Sequence, residues 1–112
     1  MDESRARELL RAERAELATL LRQTEEEEEA GQQASDGPRD YGEAGEELTE
    51  EASDEAVAGQ LRGRLDAIDR ALARLETGAY GRSVLSGKPI PDQRLEADPA
   101  AELTVEEARA AR

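Results

Sequence analysis

Carboxylates, hydroxyls and cationic side chains are the chemistry this chain carries. Its 112 residues include 28 Asp and Glu, 15 Lys and Arg, and neither His nor Cys. The usual general base, the thiolate nucleophile and the soft metal ligands are therefore missing. Ser83 has no candidate base to activate it, and the acids are too numerous to single out a catalytic pair. There is no glycine-rich phosphate loop. These absences argue against an enzyme. One short spacing does carry local chemistry: Thr104-Val105-Glu106-Glu107 has the form of a capping box. In such a box the hydroxyl accepts the Glu107 amide while the Glu107 carboxylate reaches back to the Thr104 amide.

The charge balance narrows the partners. A net charge of −13 repels phosphate, which opposes direct binding of nucleic acid and of acidic membrane leaflets. It suits a basic protein groove. No apolar run reaches the ~18 residues of a membrane span, and MDESRARELL lacks the apolar core of a signal peptide. A cytoplasmic protein is expected.

The elements that must position these residues are helical. Apolar residues make up 37% of the chain, with no Phe or Trp, so a large globular core is out of reach. Residues 3 to about 28 predict one helix, capped by Asp2 or Ser4. Its apolar stripe is Ala6, Leu10, Leu17 and Leu20 or Leu21, with Leu9 at the edge and Glu13 interrupting. The five acids Glu25–Glu29 should fray its end, as a solvated stretch or as a patch for a basic partner. Residues 30–45, with Gly31, Gly37-Pro38, Gly42 and Gly45, read as a polar connection. A second helix follows from about Glu46 to Thr77. Its seam of Leu61, Leu65, Ile68, Leu72, Leu75 and Ala79 has coiled-coil spacing, and Gly78 suits its C-terminal cap.

The expected architecture is mainly α. Residues 1–78 form a long antiparallel coiled-coil hairpin with its tip at about 30–45. Residues 79–112 form a small C-terminal module. With a turn near residue 37, Leu10 should lie opposite Leu65, and Leu17 opposite Val57 or Ala58. In the module, Gly81, Gly87, Pro89, Pro91 and Pro99 enforce turns. Tyr80, Val84, Leu85, Ile90, Leu95 and Leu103 are expected to fold over one another and over the base of the hairpin. A last short helix should run from Thr104 to the end.

The run LARLETGAYG, followed by SGKPIP and RLEADP, resembles the DksA/TraR family of bacterial transcription factors. Tyr80-Gly81, Gly87, Ile90, Arg94-Leu95-Glu96-Ala97 and Pro99 match the family's C-terminal zinc knuckle without a gap. The resemblance covers about a third of the chain. It implies a coiled-coil hairpin carrying that zinc-finger-like module. The four positions that would ligate zinc are Ser83, Ser86, Thr104 and Glu107. Neutral hydroxyls and one carboxylate are poor zinc ligands, so no cofactor is expected, and the chain looks like a zinc-free branch. Thr104 and Glu107 read as the helix cap. The two serines are equally open to turn hydrogen bonds or to drift into ordinary polar residues.

The same resemblance implies that the hairpin tip enters the secondary channel of RNA polymerase, where acids of a D-x-x-D-x-A motif act near the catalytic Mg²⁺. Colinear counting puts that motif on Asp40, Glu43 and Gly45. Carboxylates are the right groups to act on a hard cation or its water shell. By residue type alone, Asp40 and Glu43 are equally readable as ordinary loop acids. The expected function is thus a transcription regulator that binds RNA polymerase without direct DNA contact. The alternative is a coiled-coil protein–protein interaction module, as a homodimer or with another partner, that has lost polymerase regulation.

Overall fold

The computed structural model describes the backbone of residues 1–34 and 41–111, and side chains over 1–27 and 55–111. It is mainly α, with a coiled-coil hairpin as its principal feature. Four helices follow in order: α1 (Glu3–Ala34), α2 (Tyr41–Thr77), α3 (Asp92–Ala97) and α4 (Val105–Ala110). Among the described residues, β pairing is confined to an isolated antiparallel bridge between Arg82 and Pro89.

Local chemistry explains the ends of the long helices. Asp2 caps α1: its carbonyl accepts the Ala6 amide at 3.0 Å and its Oδ1 accepts the Ser4 amide at 3.3 Å. At the end of α2, Gly78 takes φ +78° and the Ala79 amide donates to the Arg74 carbonyl at 2.9 Å. That is a Schellman turn, and the left-handed residue it needs is one that glycine adopts without penalty.

Both long helices invade the stretch expected as a connection. α1 runs on to Ala34 rather than stopping near residue 28, and α2 starts at Tyr41 rather than Glu46. Repulsion between like charges one turn apart costs only ~0.2–0.5 kcal/mol per pair. The Glu, Gln and Ala residues of this region are strong enough helix formers to outweigh it, and Glu25 gains a partner in Arg62 at 3.0 Å.

The chain divides into two compact units, Met1–Arg14 with Asp66–Arg112, and Ala15–Leu65. In the first, Ala6, Leu10, Ile68, Ala71 and Leu75 are buried, and Arg14 meets Asp69 at 2.7 Å. Leu10 and Ile68 are fully enclosed, each contributing ~1.5–3 kcal/mol of apolar transfer. In the second, Ala58 is buried while Leu17, Leu21, Leu61 and Leu65 are half-buried. Leu20 stays 48% exposed, so Leu21 is the residue that continues the stripe.

Two sequence expectations are corrected here. Arg14 is level with Asp69 and Glu25 with Arg62. Leu10, a turn before Arg14, therefore comes level with Leu72 rather than Leu65. The register is set by the side chains that meet between the helices, Arg14 with Asp69 and Glu25 with Arg62, which the apolar spacing alone does not specify. The seam also ends at Leu75: Ala79 is exposed, because the Gly78 turn has already taken the chain off the helix.

The C-terminal part has its own small core of Ile90, Leu95 and Ala101, with Met1 and Tyr80 packed against it. Met1 arriving beside Tyr80 shows that the start of α1 reaches the end of α2. The Met1 ammonium pairs with Asp92, and Arg5 pairs with Glu96 at 3.0 Å, so α1 also holds α3. Val84 and Leu85 do not join this core. They are 52% and 73% exposed, because the turn that carries them points outward.

Candidate functional site: a hydrogen-bonded knuckle

The segment after Gly78 doubles back on itself. The Ile90 amide donates to the Gly81 carbonyl at 2.8 Å, the Ser83 amide to the Lys88 carbonyl at 2.8 Å, and the Gly87 amide to the Ser83 carbonyl at 3.0 Å. Gly87 makes this reversal with φ +75°, a backbone state that glycine enters freely. Tyr80 fixes the base of the hairpin by donating its hydroxyl to the Pro99 carbonyl at 2.8 Å. Burial pushes the Tyr80 phenol above its ordinary pKa, against a smaller opposing effect of the nearby Arg74 charge.

Ser83, Ser86, Thr104 and Glu107 are brought together between this hairpin and α4. Thr104 is the N-cap: its Oγ1 accepts the Glu107 amide at 3.2 Å, and the Glu107 carboxylate accepts the Thr104 amide at 3.0 Å. The capping box read from the sequence is present in full. The second carboxylate oxygen of Glu107 accepts the Ser83 hydroxyl at 2.9 Å. Ser83 Oγ in turn accepts the amides of Leu85 at 3.1 Å and Ser86 at 3.2 Å, while Ser86 Oγ accepts the Lys88 amide at 3.3 Å. Ser83 and Thr104 are the two polar side chains buried here, and both are satisfied.

These bonds set the protonation of the cluster. The Thr104 amide first, and then the Ser83 hydroxyl, hold Glu107 down at a pKa of about 2, against a smaller upward push from burial. The carboxylate is therefore ionised and already spoken for on both oxygens. Ser83 Oγ has two amides on its lone pairs and its proton on Glu107. Such a donor set does not fit zinc, which needs thiolate or imidazole donors with free lone pairs. Among the described residues no group of three or more Asp or Glu converges on a metal-sized site.

Asp40 lies outside the described residues. Glu43 falls within α2, but its side chain lies outside them as well.

Several contacts have no signal in the linear pattern. Arg70 grips Glu102 through two nitrogens, at 2.7 and 3.1 Å, with Arg74 at 3.7 Å, tying the stretch before α4 to α2. Arg94 donates through Nε to the Leu103 carbonyl at 2.8 Å. Helix α3 was not foreseen either. The run DQRLEA after Pro91 is its signal, a proline followed by helix formers with an acid in the first turn.

No family model matches the sequence. Individual relatives do. The chain is 32% identical over 99 residues to the RNA polymerase-binding transcription factor DksA of Caulobacter vibrioides, covering 88% of this chain and 62% of that one. It resembles a solved structure of transcription factor DksA2 from Pseudomonas aeruginosa with a TM-score of 0.82 at 27% identity, covering 97% of this chain and 81% of that one. The chain belongs to the DksA/TraR family. It is also 34% identical over 79 residues to General stress protein 16O of Bacillus subtilis, covering 70% of this chain. It spans 48% of that stress protein's length and 62% of the Caulobacter DksA. Within this DksA/TraR member, the expected ligand positions are occupied by a hydrogen-bonded staple.

Proposed function

We propose that this chain is a non-enzymatic, cytoplasmic transcription regulator that binds RNA polymerase rather than DNA and inserts its acidic hairpin tip into the secondary channel. The observation that carries the reading is the likeness to DksA2, a transcription factor, over 97% of the chain, joined to the identity with a DksA that is named for binding RNA polymerase. Charge distribution supports it. Residues 15–65 hold fifteen Asp and Glu against four Arg, a net −11 of the total −13. Such a segment is repelled by nucleic acid and drawn to a basic groove. In this reading Asp40 and Glu43 are the acting carboxylates, placed to influence a hard cation or its water. The knuckle works without zinc, because Glu107 and Ser83 already close it. No described helix is long and apolar enough to cross a membrane.

The test is binding to core RNA polymerase at low and moderate salt, with Asp40→Asn/Glu43→Gln as the comparison. Binding that weakens as salt rises, and a double variant that loses the effect on transcription, is the expected result. Absence of wild-type binding at low salt sinks the proposal.

A further inference from the structure

The longest stretch of this chain without an acid is Thr77–Pro91, fifteen residues in a protein of net charge −13. It contains Arg82 and Lys88, the latter being the chain's single lysine. Between them stand Val84 and Leu85, and Leu85 is the most exposed large apolar side chain among the described residues. The nearest acids are withdrawn from the surface field. Glu107 is held by Ser83 and Thr104, and Glu102 by Arg70 and Arg74. Glu106 remains, across a cleft of about 340 Å³ that it lines with Lys88, Pro89 and Val105.

This hairpin is also built to hold its shape. Seven backbone amides are engaged: those of Ser83, Gly87 and Ile90 across the turn, of Leu85 and Ser86 on Ser83 Oγ, of Lys88 on Ser86 Oγ, and of Val84 on the Glu102 carbonyl at 2.9 Å. Arg82 donates to the Gly87 carbonyl at 3.2 Å and so keeps its charge at the hairpin's flank. A pre-ordered turn that exposes two apolar side chains between two cations loses little entropy on docking. Solvent gives no reason to expose Leu85 and Val84 there.

We infer that the hairpin Arg82–Ile90 is a protein-docking finger, distinct from the acidic tip. Leu85 and Val84 enter an apolar pocket on the partner, and carboxylates around that pocket meet Arg82 and Lys88. Resting on the polymerase reading above, the partner surface is an acidic-rimmed pocket on RNA polymerase. The two sites then recognise opposite charge: the tip a basic surface, the finger an acidic one. Opposite preferences at two sites fix one orientation of docking, since a reversed chain would set like charges against each other.

The experiment titrates full-length chain against core RNA polymerase, comparing wild type, Leu85→Ser, Lys88→Glu and Asp40→Asn/Glu43→Gln. Leu85 and Lys88 are exposed, so helicity by circular dichroism should match wild type. Leu85→Ser is expected to weaken binding about tenfold or more, the loss typical of an anchor residue. Lys88→Glu should weaken it too and flatten part of its salt dependence. Wild-type affinity in both finger variants, with wild type binding normally, overturns the finger while leaving the polymerase reading intact. Absence of wild-type binding removes both. Duplex DNA binding that requires Lys88, with polymerase affinity unchanged, also overturns the inference.

Discussion

Ser83 donates its hydroxyl to the Glu107 carboxylate across 2.9 Å, joining two positions 24 residues apart. Glu107 uses its other oxygen to cap its own helix at Thr104. One carboxylate thus closes the knuckle and starts α4, at the place where the family resemblance leads one to expect metal.

This bond makes the knuckle sensitive to acid. Glu107 is held near pKa 2 in the folded protein, below the ~4.3 of a free Glu. A depressed carboxylate stabilises the fold above its unfolded pKa and loses that contribution as pH falls through the folded value. The melting temperature should therefore drop more steeply between about pH 4.5 and pH 2 in wild type than in Glu107→Gln. Equal slopes for the two proteins in that window count against the staple.

Metal removal should do nothing to the wild type. Incubation with EDTA is expected to leave helicity and melting temperature unchanged. The four positions converge, however, so replacing Ser83, Ser86, Thr104 and Glu107 together by Cys should create a tetrahedral thiolate site. Stoichiometric Co²⁺ with thiolate charge-transfer absorption is the readout, and an absent spectrum in a folded variant would show that the cluster is not cage-shaped.

Glycines 59 and 63 offer stabilisation. Both lie inside α2, and nothing stands within 4 Å of a methyl group added at either. Gly59→Ala and Gly63→Ala should each stabilise by about 0.5–1 kcal/mol, raising the chemical denaturation midpoint. A lower midpoint for either would reveal a contact that the helix geometry does not show.

The seam should respond unequally to truncation. Ile68 is fully enclosed, so Ile68→Ala is expected to cost about 2–5 kcal/mol. Leu20, nearly half exposed, should cost within ~0.5 kcal/mol or little more when changed to Ala. Urea melts of the two variants give the comparison; similar losses would mean the apolar stripe runs through Leu20 after all.

Tyr80→Phe removes the hydroxyl that satisfies the Pro99 carbonyl. The expected loss is about 0.5–1.5 kcal/mol, the net worth of one such bond. A neutral effect on thermal stability would mean that water replaces the hydroxyl.

Much of the fold was legible in order. Hydrophobic spacing disclosed both long helices and the Ile68–Leu75 seam, because helical period is a local property of the chain. Gly78 marked the end of α2 and Thr104-x-x-Glu107 the start of α4, because each cap is made by residues within a few positions of one another. The register of the hairpin was not legible, since it is set by which side chains meet between the helices, Arg14 with Asp69 and Glu25 with Arg62, and a heptad-spaced apolar stripe fits more than one such pairing. Nor was the fate of Val84 and Leu85, whose spacing suited the core equally well.

The sequence by itself therefore determined the two long helices and α4 with their caps, the absence of thiolate and imidazole chemistry, and the concentration of acid in residues 15–65. Tertiary structure alone decided that Ser83 meets Glu107, that Arg70 takes Glu102, and that Leu85 faces solvent. The reason is physical: hydrogen bonds and ion pairs between distant residues are set by the packing of the elements that carry them, and a linear pattern holds no record of that packing until the chain has folded.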